Sequence, residues 1–275
     1  MKKYLLIATT IIFAACNPND TEGGKDKPET VVNTGIAAPT IINATVKAAY
    51  EHDPTAYTQG LEFYKGTLYE GTGDFENSSL RITDFKTGKV IKKHMMGSKE
   101  IFGEGITILK DTLYQLTWES NIVNVYDVKD ITKVVKTFKW PNEGWGITNN
   151  GTDLIVSTGS ANIYFINPQD FKVKTNFAVE DNNGIVDKLN ELEYIDGFIY
   201  ANLYGENSYI IKIDPSSGHV VGKIMIPNLA EQYFPGKLKD PTGNEVLNGI
   251  AYDTATKKLY ITGKHWPKLF EVSLN

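Results

Sequence analysis

Glu104 stands between two glycines, Gly103 and Gly105, at the mouth of an alternating apolar run in the stretch "IFGEGITILKDTLYQLTW". Apolar surroundings disfavour the charged form of a carboxylate and raise its pKa, which suits it to accept a proton and hand it on. Four other residues open similar runs: Gln59, Trp145, Asn190 and Asn248. Glu104 is the one ionisable member of this set. The second halves of the same segments end in Trp118, in Tyr204 and in "GKHW", which carries Lys264 and Trp266. Side-chain amides and an ammonium can donate to an oxyanion, and aromatic rings can wall a concave site that holds few polar groups. The residue types therefore suit proton transfer in a dry cup.

The elements that must position these residues form a repeat. The runs "QGLEFYKGTLYEGTG", "EGITILKDTLYQLTW", "WGITNNGTDLIVSTG", "NELEYIDGFIYANLY" and "NGIAYDTATKKLYITG" each read as an alternating strand, a turn and a second strand. Period-two alternation around tight turns predicts hairpins. Their lead residues are spaced by 45, 41, 45 and 58 positions. After each of the first four hairpins come two more strand-like runs around a turn, with Asp-x-x-x-Gly and Asp-Pro elements supplying turn chemistry. Four antiparallel strands in about 45 residues is the period of a propeller blade. The fifth unit ends after "PKLFEVSLN", one strand short, and "TIINATVKAAYEHDP" precedes the first hairpin without a partner. The expected fold is therefore an all-β, five-bladed β-propeller, closed by the N-terminal strand, which removes two exposed sheet edges. In such a ring Gln59, Glu104, Trp145, Asn190 and Asn248 converge at one mouth of the central channel. Gly60, Gly105, Gly146 and Gly249 then allow the backbones to approach at the axis.

The net charge of −5 argues against a nucleic-acid partner, because phosphate binding calls for a basic patch. The four histidines show no metal spacing, no phosphate-cradling loop is present, and no catalytic metal or cofactor is expected. A structural cation in the channel is left open. Trp140 and Trp266 read as packing residues, and Glu191 as either a site residue or a balance to Lys264. Residues 1–15 read as a signal peptide: two lysines, a short apolar run, then small residues. "FAAC" is similar to a lipobox, with Phe13 where Leu is usual, and makes Cys16 the expected lipidation site. Residues 16–38 are polar, rich in Gly and Pro, and read as a flexible tether, leaving 39–275 as the folded domain. The chain is thus expected to be an exported bacterial lipoprotein held by its lipid anchor. Asn17 after the cysteine points to the outer membrane and periplasm, and masked edges point to a monomer.

Seven short motifs, "YTQGL" (57–61), "FGEGIT" (102–107), "QLTW" (115–118), "GWGIT" (144–148), "LNELEY" (189–194), "VLNGIA" (246–251) and "TGKHWP" (262–267), together resemble the plant-type glutaminyl cyclases. The resemblance implies a metal-independent glutaminyl-peptide cyclotransferase acting on peptides and proteins with N-terminal glutamine. It implies that Glu104 is the catalytic acid/base and that Lys264 is a polar substrate contact, to which the chemistry of an ammonium adds a catalytic part as oxyanion donor. Substrate contacts fall to Tyr57 (in place of the usual Phe), Gln59, Trp118, Trp145, Asn190, Tyr204 (where plant members tend to have Trp) and Asn248. Two other readings compete: a calcium-dependent lactonase-like hydrolase, which a Glu with two Asn near an axis could support, and a non-catalytic binding propeller.

Overall fold

A computed structural model describes residues 34–96, 98–226, 228–240 and 244–275, all within one compact unit, Val32–Asn275. The expected signal peptide, Cys16 and most of the tether lie outside the described residues. The described chain is all-β apart from one short helix, Leu229–Tyr233.

Three four-stranded antiparallel sheets follow in chain order. The first holds Thr58–Tyr64, Thr67–Thr72, Ser79–Asp84 and Lys89–Met95. The second holds Gly103–Leu109, Thr112–Thr117, Ile122–Asp127 and Asp130–Lys139. The third holds Ile147–Asn149, Leu154–Ser157, Asn162–Ile166 and Val173–Ala178. Leu189–Ile195, Phe198–Leu203, Tyr209–Ile213 and Val220–Met225 make a fourth group, and Leu247–Asp253, Lys258–Gly263 and Lys268–Leu274 a fifth. The N-terminal strand, Thr40–Glu51, joins these two groups into one eight-stranded sheet. Its later part, from Ala44, pairs antiparallel with Lys268–Leu274. Its first residues, Thr40 to Asn43, run on in parallel pairing with Val220–Met225, which the repeat pattern does not foretell. A 12-residue strand with a register shift between Val46 and Ala48 is long enough to serve both neighbours.

The first strands touch one another in cyclic order, the fifth meeting the first. Gly103–Leu109 is buried along its whole length, whereas the outermost Lys89–Met95 alternates between exposed and half-buried. Strands that face other sheets on both sides lose their polar face, so continuous apolar runs sit innermost. Close approach at this inner ring demands glycine: a Cβ on Gly105 would lie 2.7 Å from the Trp145 carbonyl oxygen and 2.8 Å from the Ile147 nitrogen. Gly249 departs from the expected role, since it is its left-handed φ of 117° that favours glycine.

The sequence pattern does not show one recurrent irregularity. In four of the first strands the ladder slips by one residue at the lead position, between Thr58 and Gly60, Gly103 and Ile106, Leu189 and Leu192, and Leu247 and Ile250. Each slip is a bulge that takes the lead residue out of regular pairing and re-aims its side chain. Two further elements occupy insertions: the hairpin Glu180–Asp181 with Gly184–Ile185, and the helix Leu229–Tyr233. The helix lies in the widest gap between lead residues, so the long spacing from Asn190 to Asn248 is an insertion rather than a longer repeat.

A buried charge network stands beside the first sheet. His52 Nε2 lies 3.0 Å from Glu70 Oε1, and its Nδ1 lies 2.6 Å from the Trp266 carbonyl. Glu70 also accepts from the Thr58 hydroxyl at 2.8 Å, while Arg81 pairs with Asp53 at 2.9 Å and comes within 4.0 Å of Glu70. Burial opposes both ionised forms, but the pair prevails: Glu70 is held below its ordinary pKa and His52 above its own. The network fastens the end of the N-terminal strand to Thr58, the residue next to Gln59. Removing one partner of a buried pair leaves an uncompensated charge, so Glu70→Ala is expected to cost about 3–5 kcal/mol. Thermal unfolding should show Tm lower by roughly 10 °C for a chain of this size; a shift within about 2 °C would deny the network that role.

Candidate active site

The bulges carry Gln59 and Glu104 to one mouth of the inner ring, where a cup of about 360 Å³ opens. Tyr57, Gln59, Phe102, Glu104, Trp118, Trp145, Tyr204, Asn244 and Lys264 line it. Of the residues singled out from sequence, Tyr57, Gln59, Glu104, Trp118, Trp145, Tyr204 and Lys264 are thus brought together. Asn190 and Asn248 are buried but do not line the cup. The Asn248 amide donates to the Thr58 carbonyl at 2.8 Å and to Gln59 Oε1 at 3.2 Å. It therefore orients Gln59 rather than facing the cup. Gln59, its oxygen held in this way, turns its Nε2 to Glu104 Oε1 at 2.9 Å.

Glu104 is 4% exposed, and its second oxygen, Oε2, is buried without a hydrogen-bond partner. The other glutamates of the inner ring use their carboxylates differently. Glu191 accepts from the backbone nitrogens of Leu61 at 3.2 Å and Ile250 at 2.9 Å. Glu193 accepts from Tyr252 nitrogen at 2.8 Å, and Glu62 from Ile108 nitrogen at 3.2 Å. These acids tie neighbouring first strands together. Glu191, left between two roles on sequence grounds, is a tie across the axis and does not line the cup.

Lys264 is 2% exposed. Its Nζ sits 4.5 Å from the Tyr57 ring centroid and 5.1 Å from that of Tyr204, and donates to the Tyr57 hydroxyl at 3.5 Å. That hydroxyl in turn donates to Asn244 Oδ1 at 3.2 Å. The tyrosine at position 57 thus adds a polar link that a phenylalanine would lack. Desolvation dominates both ionisable groups of the cup. Burial pushes Glu104 well above the ordinary carboxylate pKa; Lys264 and the Gln59 hydrogen bond oppose it, and Glu143 adds to it. Burial lowers Lys264 to about 8, against the pull of the Glu104 charge.

The aromatic walls interlock. Phe102 stands edge-on to Tyr57 at 5.8 Å and to Trp118 at 5.8 Å, and Trp145 stands edge-on to Tyr204 at 5.7 Å. Trp140 and Trp266 are buried in packing, as expected. Phe102 and Asn244 are lining residues that were not singled out in advance. Phe102 lies inside the "FGEGIT" motif, so the motif itself was the available signal. Asn244 arrives from the insertion after the short helix, where no repeat marks it. Among the described residues no group of three or more His, Cys, Asp and Glu side chains is arranged to hold a metal ion.

The site thus joins a buried acid and a buried lysine in one aromatic cup on a propeller-like all-β scaffold. The chain belongs to the glutamine cyclotransferase family, whose model matches residues 19–274. It is 40% identical over 233 residues to a glutaminyl-peptide cyclotransferase of Arabidopsis thaliana, spanning 83% of this chain and 70% of that protein. It also matches the crystal structure of Myxococcus xanthus glutaminyl cyclase at a TM-score of 0.79 and 32% identity, over 86% of this chain and 98% of that one.

The two cup charges are coupled, which gives a direct check. Lys264 is expected to titrate near 8, well below an ordinary lysine. In Glu104→Gln the neighbouring negative charge is gone, so its pKa should fall further. Carbon-13 NMR of the Lys264 ε-methylene reads both; a titration above 10, unmoved by the substitution, would remove Lys264 from the dry cup.

Proposed function

We infer that this chain is a glutaminyl-peptide cyclotransferase, which converts the N-terminal glutamine of peptides and proteins to pyroglutamate and releases ammonia. Family membership supports the activity. The observation that carries the site assignment is Glu104 Oε2, a buried carboxylate oxygen in an aromatic cup with no hydrogen-bond partner.

The substrate's free α-amine attacks the Cδ of its own side-chain amide. Nucleophile and electrophile belong to one residue, so once the chain is bent into a ring-like conformer most of the entropic cost is gone. As the N–Cδ bond forms, the amine passes a proton to Glu104 Oε2, and the former carbonyl oxygen takes the negative charge. The Lys264 ammonium, with its Nζ facing the cup, is the donor for that oxyanion. Glu104 then returns the proton to the amide nitrogen, the Cδ–N bond breaks, and ammonia leaves. Burial supports this double use. A carboxylate whose pKa is raised lies closer to that of the amine it serves, and proton transfer is efficient when the two are matched. Phe102, Trp118, Trp145 and Tyr204 wall off water, which would otherwise yield glutamate. Tyr57 and Gln59 complete the substrate-facing set, while Asn190 and Asn248 act from behind the cup.

The same reading takes the scaffold as a five-bladed ring. It is supported by the cyclic contacts of the first strands and by the pairing of Thr40–Glu51 with Lys268–Leu274. Residues 1–16 support export and lipid anchoring at Cys16 to a bacterial envelope membrane, and sheet edges masked by a closed ring support a monomer.

Two experiments test these readings. Ammonia release from Gln-peptides should be readily measured for the natural sequence, and Glu104→Gln should lose about 10²-fold or more in kcat with KM little changed; turnover within threefold of the natural chain removes Glu104 from catalysis. When the full chain is expressed in bacteria, Cys16→Ser is expected to move the protein from the membrane fraction to the soluble one, and equal fractionation of both forms would exclude the anchor.

A further inference from the structure

Three of the four tryptophans point their indole N–H groups at one residue that lies outside the repeat pattern. Trp118 Nε1 and Trp145 Nε1 both donate to the same oxygen, Glu143 Oε2, each at 2.9 Å. Trp140 Nε1 donates to the Glu143 backbone carbonyl at 3.0 Å. Trp140 is buried in the core beneath, among Leu116, Ile147 and Phe171. The loop is pinned on its other side as well: Gly144 nitrogen donates to the carbonyls of Thr117 at 3.2 Å and Trp118 at 3.1 Å, and Asn121 Nδ2 donates to the Asn142 carbonyl at 3.2 Å. The Glu143 carboxylate is therefore exposed but held in place, and it joins two walls that come from different sheets.

We propose that Glu143 is the positioning residue of the cup: its single carboxylate oxygen fixes the rotamers of Trp118 and Trp145, so that both indole faces are set for the substrate before it arrives. This rests on the cyclotransferase reading of the cup for its kinetic consequence, not for its geometry. An indole has one polar atom, and anchoring that atom orients the whole ring plane. Hydrogen bonds to a charged acceptor are the stronger kind. Two rings held in advance lose no further freedom on binding, which is how preorganisation raises affinity. Glu143 also adds negative potential at Glu104, whose pKa it helps to raise. That contribution is smaller than those of burial and Lys264, so the main effect of Glu143 falls on the walls and not on the reacting atoms.

The test separates geometry from activity. Glu143→Leu removes the acceptor, and Glu143→Gln keeps a carbonyl oxygen in its place. Proton–nitrogen NMR resolves the indole N–H signals of the tryptophans. In Glu143→Leu the Trp118 and Trp145 signals should move upfield and exchange faster with water. Those of Trp140 and Trp266 should stay, the latter because it donates to the Glu245 carbonyl; their constancy reports an intact fold. On Gln-peptides, Glu143→Leu should raise KM about tenfold with kcat within about threefold, as expected when a binding wall is loosened, and Glu143→Gln should recover most of the loss. Unmoved Trp118 and Trp145 signals, or a KM within about twofold of the natural chain, overturns the proposal. If the natural chain releases no ammonia from Gln-peptides, the cyclotransferase reading fails, and the indole signals still decide the geometric claim.

Discussion

The inner strands can meet at the axis only where their backbones come closer than a Cβ allows, and this constraint shapes the rest of the molecule. It places glycine after three of the lead residues whose strands must touch, at Gly60, Gly105 and Gly146. It also accompanies the one-residue bulges that free the lead side chains from the pleat. A regular strand would send Gln59 and Glu104 into the faces of their sheets. A bulged strand sends them along the axis to the mouth. Where the fourth strand carries Glu191 in the position of a glycine, its carboxylate receives two backbone N–H groups from neighbouring strands. Crowding there is met by a hydrogen-bonding side chain instead of by the lack of one.

The same burial that packs the axis sets the chemistry at its end. A carboxylate and an ammonium placed in a dry cup lose their hydration, and neither regains it from the other. Desolvation prevails over their mutual attraction in both groups, raising Glu104 and lowering Lys264. Burial thus moves the two proton affinities toward each other and brings that of Lys264, at about 8, near the range of an N-terminal amine. Glu62, Glu191 and Glu193, deeper along the axis, are raised by burial as well, Glu62 to about 7. A perturbed pKa alone does not distinguish a reactive acid here. What distinguishes Glu104 is that its unpartnered oxygen is fully buried and belongs to a residue that lines the cup.

Much of this was legible in the residue order. Period-two runs separated by turn residues recur along the chain, and each became an antiparallel hairpin, because strand formation depends on local alternation and turn chemistry. The convergence of Gln59, Glu104, Trp145, Lys264 and the aromatic ends followed from the repeat itself, since equivalent positions in equivalent units share one end of the axis. Insertions were not legible. The helix Leu229–Tyr233 has five residues and no side-chain cap, so it left no pattern to read. Asn244 reaches the cup from the loop that follows it.

By itself the sequence determined the strands, their period, the residues at each strand mouth and the family to which the chain belongs, because all of these are written in local order and spacing. The tertiary structure alone decided three things: that Asn248 turns its amide to Gln59 and not to the cup, that desolvation outweighs the attraction between Glu104 and Lys264, and that Glu143 gathers the indoles of Trp118 and Trp145. Each depends on distances between segments far apart in the chain and on how much water their packing excludes, and no one-dimensional pattern carries either quantity.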